Sequence, residues 1–147
     1  MNISRRDLSL LLPGLAAVAV AQPPNPAAPR PVPMLSKIYH TEQIPYTGDD
    51  KKKGRRFFLG ATHTGFNLEM HETILGAGME SHPPHQHVHE EIIHIVEGTA
   101  ELHIEGKTDT ATAGSVVFFG SNQMHNLRNA GTTPCRYYVL ELRADAA

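Results

Sequence analysis

Pro83 to Gly98 reads PPHQHVHEEIIHIVEG, and five of the chain's ten histidines fall between His82 and His94. His85, His87 and His89 stand at alternate positions. In extended backbone, side chains two apart share a face, so His85 and His87 can present imidazoles to one point. Glu91 follows His87 by an even step and shares that face if the chain stays extended or bulges slightly. Two imidazoles and a carboxylate converging on one side of a sheet make a site for a divalent metal. The apolar run from Ile92 to Val96 predicts a core strand that anchors the site, closed by Gly98. A solvated histidine-rich loop is the competing reading. The argument against it is a partner histidine further along the chain.

That partner lies in Gly114 to Asn129, GSVVFFGSNQMHNLRN. Val116 to Phe119 is the apolar body of a strand, Gly120 to Asn122 is a turn cluster, and His125 opens the next strand. A fourth ligand arriving from a separate hairpin suits a strand-built site, because neighbouring strands lie only about 5 Å apart.

Together these two stretches resemble the motifs of the cupin family. The first family motif is matched by Gly78, His85-Gln86-His87, Glu91 and Gly98, with six residues after Gly78 where the family has five. The second is matched by Gly114, His125 and Asn129, but Gly120 stands where the family has proline and Asn122 where it has glycine. Asparagine tolerates left-handed backbone better than most residues, so the turn can survive that exchange. The resemblance implies that His85, His87, Glu91 and His125 are the ligands of one divalent transition metal. Iron, manganese, nickel, copper and zinc are not separated by sequence. The implied fold is all-β, a jelly-roll barrel, also described as a double-stranded β-helix. The motifs span residues 78–129. They identify a fold far better than a reaction, since one scaffold hosts many chemistries.

The rest of the chain agrees with a single all-β domain. Phe66, Leu68 and Met70 alternate with Asn67, Glu69 and His71, and Ala100, Leu102 and Ile104 alternate with Glu101, His103 and Glu105. Turn signals recur at Gly60, Gly76, Gly78, Gly106, Gly120 and Gly131. About nine short strands are expected, an arrangement that fits the double-sheet jelly roll. Residues 35–46 read as one short strand and a turn at Pro45. The run Asp49 to Arg56, DDKKKGRR, reads as a solvated loop. The last strand, Cys135 to Arg143, should carry Tyr137 and Tyr138 on opposite faces.

Residues 1–21 combine Arg5-Arg6, an apolar stretch from Leu8 to Val20 and a terminal Ala19-Val20-Ala21. That is the pattern of an export signal, with paired arginines like those of a twin-arginine leader. Periplasmic or otherwise exported localisation follows as an expectation, and a metal loaded before export would suit the site. Residues 22–33 hold six prolines and read as a semi-extended linker. Residues 34–147 are the expected folded domain. Removing residues 1–21 takes the balance from 13 basic and 15 acidic residues to 11 and 14, a net charge of −3. Nothing in that balance argues for nucleic acid or an anionic membrane. The single Cys135 excludes an internal disulfide.

Parity assigns the remaining roles. With Glu91 inward, Ile93 and Ile95 point inward and His94 outward. His82 and His89 flank the motif as hydrogen-bond partners of the ligands or as exposed loop residues. His40, His63, His71 and His103 belong to no constellation. Phe66, Met70, Phe118 or Phe119, and one of Tyr137 or Tyr138 are candidate pocket walls. No catalytic acid or base is assigned, although Tyr137, Tyr138 and His89 are available to serve as one. Among family members with this ligand set, oxygenases and isomerases are prominent. The expected function is therefore a metal-dependent, dioxygenase-like enzyme for a small chelating organic substrate. The alternatives are a non-catalytic module binding a sugar or organic acid, and a metal-dependent isomerase or lyase. A homodimer is expected, with Leu35 to Tyr39 adding to the partner's sheet.

Overall fold

Strands account for the alternation, and a computed structural model describes residues 31–144. Nine strands follow in order: β1 (Thr47–Gly48), β2 (Lys52–Ala61), β3 (Asn67–Leu75), β4 (Glu90–Glu97), β5 (Thr99–Ile104), β6 (Lys107–Thr112), β7 (Val116–Phe119), β8 (His125–Asn129) and β9 (Cys135–Arg143). They form a six-stranded sheet in the order β1-β2-β3-β9-β4-β7 and a three-stranded sheet in the order β6-β5-β8. Every pairing among them is antiparallel. From β4 onward the chain passes repeatedly between the two sheets, which is the jelly-roll path. The core fills the space between them. Leu75, Ile93, Ile95, Phe119, Tyr137 and Val139 come from the larger sheet, and Ala100, Leu102 and Leu127 from the smaller. Parity holds on β4, where Glu91, Ile93 and Ile95 are buried and Ile92 and His94 are exposed. Tyr137 and Tyr138 do lie on opposite faces of β9, Tyr137 in the core and Tyr138 against Phe57 outside. The export-signal residues and most of the linker lie outside the described residues.

Three local expectations are corrected. Residues 35–46 form no strand; the only regular turn there is the 3-10 turn Thr41–Gln43. The charge run is no solvated loop, because Lys52 begins β2 and Arg55 and Arg56 lie within it. Arg55 Nε reaches Glu72 at 2.5 Å and Arg56 Nε reaches Glu69 at 2.9 Å. Both carboxylates are buried on the neighbouring strand. The charges are paired across the sheet, which a local count of lysines and arginines does not reveal.

The third correction concerns β3. Its core-side residues are Glu69, His71, Thr73 and Leu75, while Leu68 and Met70 face away. Met70 and Phe66 therefore do not line the pocket. Across the outer face, Phe58, Met70, Leu140, Ile92 and Phe118 fall on one rung through β2, β3, β9, β4 and β7. Ile92, Val116, Phe118 and Leu142 on that face are exposed. The polar side of β3 looks inward, where Glu69 meets Arg56 and Arg143 and His71 lines the cavity.

The turns follow the motif residues. Gly114 has φ +89°, and Asn122, in place of the motif glycine, has φ +57°. Asn122 is thus left-handed, as expected of asparagine at that position, and its N–H donates to His87 O at 2.7 Å. Asn129 is wholly buried and satisfied. Its Nδ2 donates to Leu75 O, Gly76 O and Thr133 O at 3.0, 3.0 and 2.8 Å, and its Oδ1 accepts from Gly131 N at 2.9 Å. One side chain thereby ties the ends of β3, β8 and β9 together. Leaving a buried carbonyl unpaired costs roughly 1–3 kcal/mol. Asn129→Ala should therefore lower unfolding free energy by about 3 kcal/mol, measured by urea unfolding. A loss below about 1 kcal/mol would mean that water replaces the amide.

Candidate metal centre

The spacing of the His-x-His pair suggested a regular strand, but the pair sits in the loop before one. His85 makes an isolated bridge to His125, Gln86 and His87 follow in irregular backbone, and β4 begins only at Glu90. His85 N donates to His125 O at 3.1 Å and His125 N donates to His85 O at 2.8 Å. This reciprocal pair clips the loop carrying His85 and His87 onto the first residue of β8. The segment bringing His125 is a crossover from β7 in one sheet to β8 in the other, not a hairpin. Glu91 enters from β4, beside Phe119 of β7.

Each imidazole is fixed by its surroundings. His125 stacks on Phe119, centroids 4.1 Å apart at 16°, and its Nδ1–H donates to Gln123 O at 2.8 Å. His87 Nδ1–H likewise donates to His89 O at 2.8 Å. A carbonyl can only accept, so these bonds place the proton on Nδ1 and the lone pair on Nε2. His125 Nε2 is buried without a hydrogen-bond partner, and so is His85 Nδ1. His87 Nε2 lies 3.2 Å from Glu91 Oε2, and His125 Nε2 lies 3.9 Å from the same oxygen. In neutral rings these are lone pairs facing a carboxylate. Two acceptors at hydrogen-bond distance require a proton or a cation between them.

Ligating atoms of His85, His87 and His125 lie within 4.8 Å of one another, as do those of His87, His89 and Glu91. The two groups share His87, so the four expected residues lie close together. His89 is also nearby, its ring stacked on His87 at 3.6 Å and 2°, with Nε2 3.3 Å from Glu141. It is neither an idle loop residue nor one of the expected four. His82 packs edge-on against His85 at 4.0 Å, and burial holds its pKa low, at about 4. Burial also holds His125 below the usual histidine value, and burial followed by the Glu141 carboxylate holds Glu91 above the usual carboxylate value. All three shifts disfavour a bare charged form, which suits donor atoms for a cation. His94 is exposed, and His103 turns to Glu101 and Thr108, away from the centre.

A cavity of about 430 Å³ opens beside these residues. Phe119 and Tyr137 line it, as do His71, Glu141 and Arg143, which sequence reasoning left without a role. Glu69, Glu141 and Glu91 occupy one rung across β3, β9 and β4. Like charges placed opposite one another on a sheet are destabilising, and the first two are compensated. Arg56 and Arg143 bind Glu69, and Arg143 also binds Glu141. Burial pushes Glu141 upward, but the Arg143 bonds bring it below the usual range. At Glu91 the partners are the imidazoles of His87 and His125. The signal that could have found this row was the even spacing Glu69, His71 and the matching Glu141, Arg143. Both pairs sit on strands whose pairing the sequence does not state.

A barrel of two antiparallel sheets, with imidazoles and a carboxylate gathered at one end, defines a strand-built candidate metal site. Residues 71–141 match the family model described as a cupin domain. That stretch of the chain is a cupin domain. No curated protein matches its sequence. Among solved structures it is similar to an RmlC-like cupin from Shewanella frigidimarina, at 20% identity and a TM-score of 0.60, covering 78% of this chain and 95% of that one. It is also similar to KdgF from a Halomonas species, at 18% identity and 0.62, covering 76% and 97%. The polyketide cyclase RemF from Streptomyces resistomycificus matches at 18% and 0.58, covering 76% and 81%. At these identities the likeness establishes the fold.

Proposed function

We propose that this cupin binds one divalent transition metal through His85, His87, Glu91 and His125 and acts there on a small chelating organic molecule. The observation that carries this reading is the buried, unpartnered Nε2 of His125, together with the two lone pairs of His87 and His125 aimed at Glu91. Burying acceptors without a donor is costly, and a cation among them removes that cost. The partners seen at Glu91 are the imidazoles of His87 and His125, whereas Glu69 and Glu141 bind arginine. The donor set, three neutral imidazoles and one carboxylate, suits a transition ion with open positions. Such an ion supplies Lewis acidity and a seat for a chelating substrate. The chain itself orients the ring nitrogens through Gln123 O and His89 O and encloses the ligand in the cavity.

A dioxygenase-like oxidation draws its support from that donor set. A metal-dependent isomerase or lyase draws support from a separate observation, the non-ligand His71 and Glu141 on the cavity wall. Oxygen uptake with chelating acids separates the two. The metal reading itself is tested by elemental analysis. His125→Ala should lose the metal, while His94→Ala and His103→Ala should keep about one equivalent per chain. Losing a ligand should weaken affinity well beyond the roughly 10–100-fold of an outer hydrogen-bond partner. A full equivalent retained in His125→Ala would remove the four-ligand site.

The reading includes a homodimer. Its support is the exposed rung of Ile92 and Phe118, with Val116 and Leu142 beside it, and the apolar Val32, Leu35 and Ile38 standing out from the N-terminal segment. A second copy covering that sheet face would bury the rung. Light scattering at micromolar concentration should give a dimer for the parent and a monomer for Phe118→Asp; a monomeric parent contradicts it.

Export by the twin-arginine route is the remaining part of the reading, supported by Arg5-Arg6 and the apolar stretch that follows. Replacing both arginines by lysine should keep the protein in the cytoplasm. Normal export of that variant would point to the general secretory route.

A further inference from the structure

We propose that His71, oriented by Glu69, is the proton acceptor of the cavity, taking a proton from a small chelating acid as that acid seats at the four-residue centre. The proposal rests on the metal reading above and adds to it the group that handles the substrate's proton. His71 lies on the core-facing side of β3 and lines the same cavity as His85, His87 and Glu91. It is not a member of either cluster of ligating atoms. It is separated from β4 by the whole of β9, since its rung runs His71, Val139, Ile93.

Its orientation follows from Glu69. Nδ1 is buried and lies 3.5 Å from Glu69 Oε1 without a completed hydrogen bond. The Glu69 carboxylate is itself fixed, by Arg56 Nε at 2.9 Å and Arg143 at 3.2 Å. A carboxylate on the Nδ1 side favours the tautomer with its proton there, so Nε2 on the opposite side of the ring keeps a lone pair. That is the arrangement of a base held by an orienting acid.

The charges around the ring allow both protonation states. Burial lowers the His71 pKa, which keeps the ring neutral and able to accept; Glu69 and Glu141 oppose that shift, and Arg56 reinforces it. From β9, Glu141 and Arg143 face it, and beyond them on β4 stand Glu91 and the adjoining His89. Once protonated, the imidazolium has the Glu69 and Glu141 carboxylates to stabilise it.

Acetohydroxamic acid is a suitable probe, because it chelates as an anion. Its O–H bond breaks, the electron pair stays on oxygen, and the proton moves to the Nε2 lone pair to give the imidazolium. Nothing is oxidised or reduced. The experiment is calorimetric titration of the zinc-loaded full chain in two buffers of different protonation enthalpy, which counts protons released to solvent. His71→Gln should release about one proton per site more than the parent at neutral pH and bind the probe about 10-fold more weakly. Glu69→Gln should fall between them. The parent should also release more protons as pH falls through the His71 pKa, because a ring already charged cannot accept another. That pH profile tests the proposal even if the variants fail to fold. Equal release in parent and His71→Gln, a flat parent profile, or no binding of the probe would overturn it. Zinc content is measured on every sample. Loss of zinc from His71→Gln alone would make His71 a ligand and overturn the proposal, whereas absence of zinc from the parent would contradict the four-residue centre itself.

Discussion

Two backbone hydrogen bonds between His85 and His125 hold the site together. Each residue donates its N–H to the other's carbonyl, and they are 40 positions apart in sequence. The loop from Pro83 to His89 leans on this pair, and β8 starts from it. The same contact brings one imidazole from each sequence motif to a common point. Asn122, donating to His87 O from a left-handed turn, makes a second clip of the same kind. Thus the placement of these histidines is set by main-chain pairing, and the side chains need only their staggered rotamers and a fixing contact.

From that clip the electrostatics of the cavity follow. A rung of three carboxylates, Glu69, Glu141 and Glu91, crosses the larger sheet next to the histidine cluster. Coulomb repulsion between neighbours about 5 Å apart is substantial where water is scarce. Arg56 and Arg143 neutralise one end of the row. The other end, at Glu91, meets ring nitrogens that present lone pairs. The gradient from arginine to bare imidazole along one rung gives the cavity two sides with different chemistry. One side is suited to a cation, and the other carries His71 beside the arginine-bound Glu69.

Much of this was legible in the sequence, and what was not has a common cause. The alternation around Glu91 places Ile93 and Ile95 inside because parity is a local property of a strand. Asn122 could be assigned its unusual backbone because that tolerance belongs to the residue type. The surroundings of His71 were only half legible: Glu69 stands two residues away on β3, but Arg56 and Arg143 arrive from β2 and β9. The charge run at 49–56 misled for the same reason: Arg55 and Arg56 are partners of buried acids on the following strand. On β3 the apolar residues Leu68 and Met70 suggested a pocket wall, yet they belong to an apolar outer face. Alternation tells that a strand has two faces, but not which of them looks into the barrel when the interior is polar.

The central claim is that His85, His87, Glu91 and His125 converge on one cation. Anomalous diffraction from crystals of the natively produced protein tests it most directly. The account predicts one anomalous peak per chain, with His125 Nε2, His87 Nε2 and a Glu91 oxygen each about 2.0–2.2 Å away and His85 completing the set. A peak centred elsewhere, or none at these residues under metal-replete conditions, would contradict it.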